Sequence, residues 1–176
     1  MNCEDIEGIA RKVQKAFLDI QRNLKSNTLS KEQKSAVASL PFDNITKSAR
    51  NRLRKFPNDC CMDASFVLAI VFAAFAEQNG FKYGRFEHIR CRPTDMTKVR
   101  MFDFHQWLRI DGYDVDITFE QCKTVLQGNS GKIVFEMHPI IGSDDFIYEH
   151  GDAGIEEPFA KFANFIITKY FKRRDE

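Results

Sequence analysis

Apolar residues recur at steps of three or four through the first part of the chain. Ile6, Ile9, Val13, Phe17, Ile20 and Leu24 form one stripe, which predicts an amphipathic helix over 4–25. The stripe suits packing within its own domain or a homodimer seam. Three heptads are few for a coiled coil, so internal packing is the favoured use. Ser30-Lys31-Glu32-Gln33 is a capping-box pattern opening a short helix that ends before Pro41. A third helix is expected over 45–55. Its Lys47, Arg50, Arg52, Arg54 and Lys55 read as a solvated basic face. Pro57, Asn58 and Asp59 break that helix and offer N-cap side chains for the next. From 61 to 78 there is no Gly or Pro, and Asn79-Gly80 is a C-cap signal. Positions 66–76 are apolar all round, which predicts a buried central helix. That run is well short of the ~20 apolar residues of a membrane span.

The period then shortens. A strand is expected over 81–91 and a polar loop over 93–99. Phe102, Phe104, Leu108 and Ile110 alternate with polar neighbours, as a half-buried strand does. Asp111-Gly112 signals a type I′ turn, and Val115, Ile117 and Phe119 continue the apolar face on the return strand. With a two-residue loop, Ile110 faces Tyr113, Trp107 faces Asp116, and His105 faces Thr118. His105, Trp107 and Asp116 then share a polar face, with His105 and Asp116 as diagonal neighbours. A strand over 133–137, a loop over 139–154 and a helix over 156–172 complete the chain. Helices, a central helix, strands and a last helix in that order make an α+β fold. The 176 residues suit one domain. Its parts are an N-terminal helical region (1–55), a core (56–121) and a C-terminal strand, loop and helix (122–176).

The net charge is +1, so no field of one sign recommends a nucleic-acid or membrane partner. Five cysteines, at 3, 60, 61, 91 and 122, are an odd number, and MNCEDIEGIARK has no apolar signal core. Reduced thiols in a cytoplasmic setting are expected. Delivery by a specialised secretion machine stays open.

The candidate chemistry is a thiol at a helix start facing a hairpin that carries an imidazole and a carboxylate. Unpaired N–H groups and the helix dipole favour thiolate in the first turn. Cys61 as nucleophile, His105 as its base and Asp116 as the group orienting the base form a triad for acyl chemistry. The backbone N–H of Cys61 is a candidate oxyanion donor, with the Asn58 side chain as a second. No zinc-ligand spacing or phosphate loop is present. His138 and His150 read as loop or surface histidines. No metal and no cofactor is expected.

Cys61-Met62-Asp63, His105-Gln106-Trp107 and Asp116-Ile117-Thr118 together resemble the core of the transglutaminase-like branch of the papain-like cysteine peptidase superfamily, in particular its small bacterial members. The resemblance covers about 56–121. It implies a papain-like core in which the Cys helix packs on a small antiparallel sheet, and it places Trp107 in the substrate site. It also implies Cys61 rather than Cys60 as nucleophile, since the family's acidic residue two positions on is then Asp63. The function it implies is a cysteine hydrolase cleaving an amide in a protein or peptide substrate. The alternatives are acyl transfer by the same triad, or an interaction module in which the triad is idle.

Overall fold

The computed structural model describes residues 1–41, 48–80, 86–95, 104–122, 131–141, 144–153 and 156–171. Among the described residues the architecture is α+β, five helices and a five-stranded antiparallel sheet. Helix α1 (Cys3–Ser26) carries the predicted stripe, and all six of its residues are buried. A homodimer through 4–25 would therefore have to use the polar side of α1. Helix α2 (Lys31–Ser39) starts at the capping box, where Ser30 Oγ accepts from Gln33 N–H and Gln33 Oε1 accepts from Ser30 N–H.

Helix α3 (Ala49–Arg54) is shorter than expected, and 42–47 lie outside the described residues. Its basic face is not uniformly solvated. Arg50, Arg54 and Lys55 are exposed, but Arg52 is buried and forks onto Asp63, with Nε and Nη2 at 2.7 and 2.9 Å from the two carboxylate oxygens. A planar guanidinium matches a carboxylate in this two-bond geometry. The pair fastens α3 to the first turn of α4 (Cys61–Asn79).

Helix α4 begins and ends where the sequence places it, and Gly80 caps it in the left-handed region at φ 65°. Its N-cap is Cys60, without a side-chain hydrogen bond, rather than Asn58 or Asp59. By length and composition alone α4 could cross a membrane, but most of its apolar window is buried against the rest of the chain.

The sheet order is β4-β3-β2-β1-β5, formed by β1 (Phe86–Pro93), β2 (His105–Ile110), β3 (Tyr113–Val115), β4 (Val134–Phe135) and β5 (Phe146–Asp152). The β2–β3 register is the predicted one, Ile110 opposite Tyr113 and Leu108 opposite Val115. Asp111 and Gly112 both have positive φ, 49° and 87°, as a type I′ turn demands. Strand β5 lies inside the stretch expected to be loop. Its Glu149-His150-Gly151-Asp152 run lacks an apolar alternation because β5 is an edge strand, paired only to β1 among the described residues, with little of it buried. Helix α5 (Glu157–Ile166) runs on as a π-turn (Ile167–Phe171).

Both faces of the sheet are covered. Leu108, Ile110, Val115 and Ile117 join the main core with the helices. On the other face Ile89, Cys91, Trp107, Phe119, Cys122 and Phe135 make a second core. The face expected to be polar is thus buried, and Phe119 belongs to it rather than to the helix side.

Candidate active site

His105 opens β2 and Asp116 follows β3, and the hairpin brings them together as the register predicts. His105 Nε2 lies 2.6 Å from Asp116 Oδ2. Both are buried, 0% and 1% exposed, so the pair is an interior one and not the solvated pair the alternation suggests. Thr118 donates its backbone N–H and its hydroxyl to Asp116 Oδ1, at 2.9 and 2.8 Å.

A fourth donor comes from a residue read in the sequence as peripheral. His138 is not on the surface but 0% exposed, stacked on the Trp107 indole at 4.0 Å between centroids. Its Nε2 reaches Asp116 Oδ2 at 3.0 Å, and its backbone N–H donates to Asp114 Oδ2 at 2.8 Å. A lone histidine in a loop carries no sequence signal for this role. His150 does lie half-exposed on β5.

The outer contacts fix the protons. Ile140 N–H donates to His138 Nδ1 at 3.4 Å, so His138 carries its proton on Nε2 and donates it to Asp116. The Gln121 side-chain amide bonds His105 Nδ1. With its NH₂ turned inward it serves neutral His105, and with its oxygen inward it serves the imidazolium. Burial pulls His105 down, but the charge of Asp116, joined by Cys122, outweighs it and leaves His105 well above the ordinary histidine value. Burial pushes Asp116 up, yet His105 and His138 hold it well below the usual carboxylate range.

The ligand atoms of His105, Asp116 and His138 lie within 4.8 Å of one another, close enough to share a metal ion. Cys61 is not a member of this cluster. A metal-bound histidine ordinarily donates its other ring N–H outward. His138 instead accepts from Ile140 at that nitrogen, which suits a proton on Nε2 better than a metal.

Two thiols, Cys122 and Cys91, adjoin His105, and a third, Cys61, lies near Cys122. Cys61 is the first residue of α4 and is 7% exposed. Cys122, in the 3₁₀ turn Phe119–Cys122, is 0% exposed and hydrogen-bonded to His105, and Cys61 lies near enough for its charge to disfavour a Cys122 thiolate. Burial raises the Cys122 thiol while His105 lowers it, and the net direction is up. Cys91, paired with His105 across β1 and β2, is pushed by burial up to about 12. Burial, then Asp63, raises the Cys60 thiol well above its ordinary value. The sequence reading passed over Cys122 because nothing local distinguishes it from a core cysteine.

Asn58 is exposed, and its side chain makes no hydrogen bond among the described residues. Trp107 is buried with its indole N–H unpartnered among the described residues. In comparisons with known proteins, no family model, no curated protein and no solved structure matches this chain.

Proposed function

We propose that this protein is a cysteine-dependent hydrolase of amide bonds in a protein or peptide, working through Cys61, His105 and Asp116 on a transglutaminase-like, papain-like core. The observation that carries the reading is the buried His105–Asp116 pair at 2.6 Å, with the Cys122 thiol on its ring and Cys61 near that thiol. A carboxylate held ionised keeps the imidazole oriented and supports its positive charge. The imidazole takes the thiol proton, the thiolate attacks the amide carbonyl, and the same proton goes to the departing amine. Water then releases the acyl group. The Cys61 backbone N–H at the helix start and the buried Trp107 indole N–H are the donors proposed for the oxyanion. His138 is a positioning residue, acting through Asp116.

One observation favours a second reading, with Cys122 as nucleophile: Cys122, not Cys61, is the thiol hydrogen-bonded to His105. Exposure favours Cys61, at 7% against 0% for Cys122, since a nucleophile must meet its substrate. Peptide mapping after limiting iodoacetamide at neutral pH tests both. Label should appear first on Cys61 and should be slowed in His105→Ala. Label on Cys122 moves the nucleophile. Even labelling of all five cysteines means that the His105 network only ties β2, the 3₁₀ turn and the 131–141 segment together.

A further inference from the structure

On the helix side of the sheet, away from the His105 ring, β1, β2, β5 and α4 enclose a cleft of about 260 Å³. By a share of ~30 Å³ per water molecule, that is room for roughly eight or nine waters, or one small molecule. Sequence alternation explains how it forms. His88 and Arg90 point to this side of β1, Gln106 stands opposite Arg90 on β2, and Glu149 and Gly151 stand opposite Arg90 and His88 on β5. Gly151 leaves the cleft open, because a Cβ built there would have nothing within 4 Å.

The floor is a hydrogen-bond relay with one open end. Gln106 Oε1 accepts from Arg90 Nε and Nη2 at 3.2 and 3.0 Å, which fixes the amide orientation. Gln106 Nε2 then donates to Ser65 Oγ at 2.6 Å and faces His88 Nδ1 at 3.4 Å. So His88 accepts at Nδ1 and carries its proton on Nε2. Among the described residues that N–H has no partner, although His88 is 9% exposed and lines the cleft. A buried donor without an acceptor is destabilising, and native structures retain few of them. Burial, then the Arg90 charge, hold His88 down at about 4, so at neutral pH it is an uncharged donor. The wall is Phe66, packed on the His88 ring at 4.4 Å between centroids. The rim carries Glu149, which pairs with Arg92 at 3.7 Å, together with His150, Asp152 and Glu156, and Arg90 supplies the guanidinium that lines the cleft.

We infer that this cleft binds a small zwitterion of the α-amino-acid kind, its carboxylate on His88 Nε2–H and Arg90, its ammonium against the rim carboxylates, and its side chain on Phe66. An anion alone would meet three carboxylates. A cation alone would leave the His88 donor unanswered. The site is separate from the proposed thiol chemistry and does not depend on it.

Titration of the full chain with each common L-amino acid, followed by the His88 ring signals in NMR, tests the inference. At least one should saturate at millimolar concentration and shift the His88 resonances. The best binder's decarboxylated amine and its deaminated acid should each bind about tenfold weaker or worse, as expected for losing a charge-assisted contact. Gly151→Leu fills open space and should abolish binding without changing thermal stability. His88→Phe keeps the ring packing, removes the donor and should weaken binding about tenfold, which decides the matter if Gly151→Leu folds poorly. Iodoacetamide labelling of Cys61 should be the same in both variants, so failure here and failure of the hydrolase reading are distinguishable. Absence of any saturable amino acid, equal binding by either half-molecule, or unchanged binding in both variants overturns the proposal.

Discussion

At the residue scale, the carboxylate of Asp116 organises the candidate site, because it accepts from His105, from His138 and twice from Thr118. The sequence reading sees His105 and Asp116 as neighbours on a polar face of the hairpin. Burial changes that expectation. In Asp116→Asn one oxygen becomes an NH₂ group, which meets either the two imidazole N–H groups or the two Thr118 donors. His105 can shift its proton to Nδ1 if Gln121 turns its oxygen inward, but His138 is held by Ile140 N–H. Asp116→Asn should therefore cost about 2–5 kcal/mol in denaturant melts, besides removing activity. His138→Phe should keep the Trp107 stack and lose one donor, at about 1–3 kcal/mol, and should also slow Cys61 labelling. A metal at these residues would behave differently. EDTA is expected to leave Cys61 labelling unchanged, with added zinc suppressing it. Activity lost on chelation and restored by stoichiometric zinc would falsify the triad reading.

At the element scale, what the sequence announced depended on whether a signal was local. The α1 stripe, the Ser30 box, the Gly80 cap and the Asp111-Gly112 turn each lie within a few residues, and each forms as read. That turn sets the register, and the register alone brings His105 to Asp116. Strand β5 was missed because an edge strand needs no apolar alternation. His138 and Cys122 were missed because their roles arise from contacts across the fold. Arg52 was missed because one basic residue among five gives no sign that it is the buried one. Removing only its side chain, in Arg52→Met, leaves Asp63 buried without its guanidinium. The expected cost is about 3–5 kcal/mol by chemical denaturation, with much of it regained in the Arg52→Met, Asp63→Leu double variant.

For the whole molecule, the buried histidines set how stability follows pH. His88, at about 4, and His138 both lie below the ordinary 6.5. Between those values the unfolded chain binds protons that the folded chain refuses, so stability falls as pH drops from 6.5 toward 4. His88 alone accounts for about 3 kcal/mol by pH 4. His105 has the opposite sign. Its contribution is present below 6.5 and is lost as pH rises through its raised folded value, so it adds no slope inside the window. Below the ordinary carboxylate value of 3.8, protonation of Asp116 removes more. Urea melts across this range should show the fall, and His88→Phe should flatten its upper part. An unchanged slope in that variant would remove His88 from the account.

The strand β2 carries His105 toward one core and Gln106 toward the other, on consecutive residues. The two proposed sites therefore share one backbone, separated by the thickness of a pleat. A strand has a period of two, so inserting one residue after Gly112 would offer β3 a pairing shifted by one and set Asp116 on the helix side. Substitutions can silence the thiol or the cleft singly. An error in counting should take the triad from both its partners at once, while β1 still holds His88 and Arg90 in place. The Asp111-Gly112 turn thus acts as the reading frame of the site: two residues with no chemistry of their own decide which of its neighbours an acid will meet.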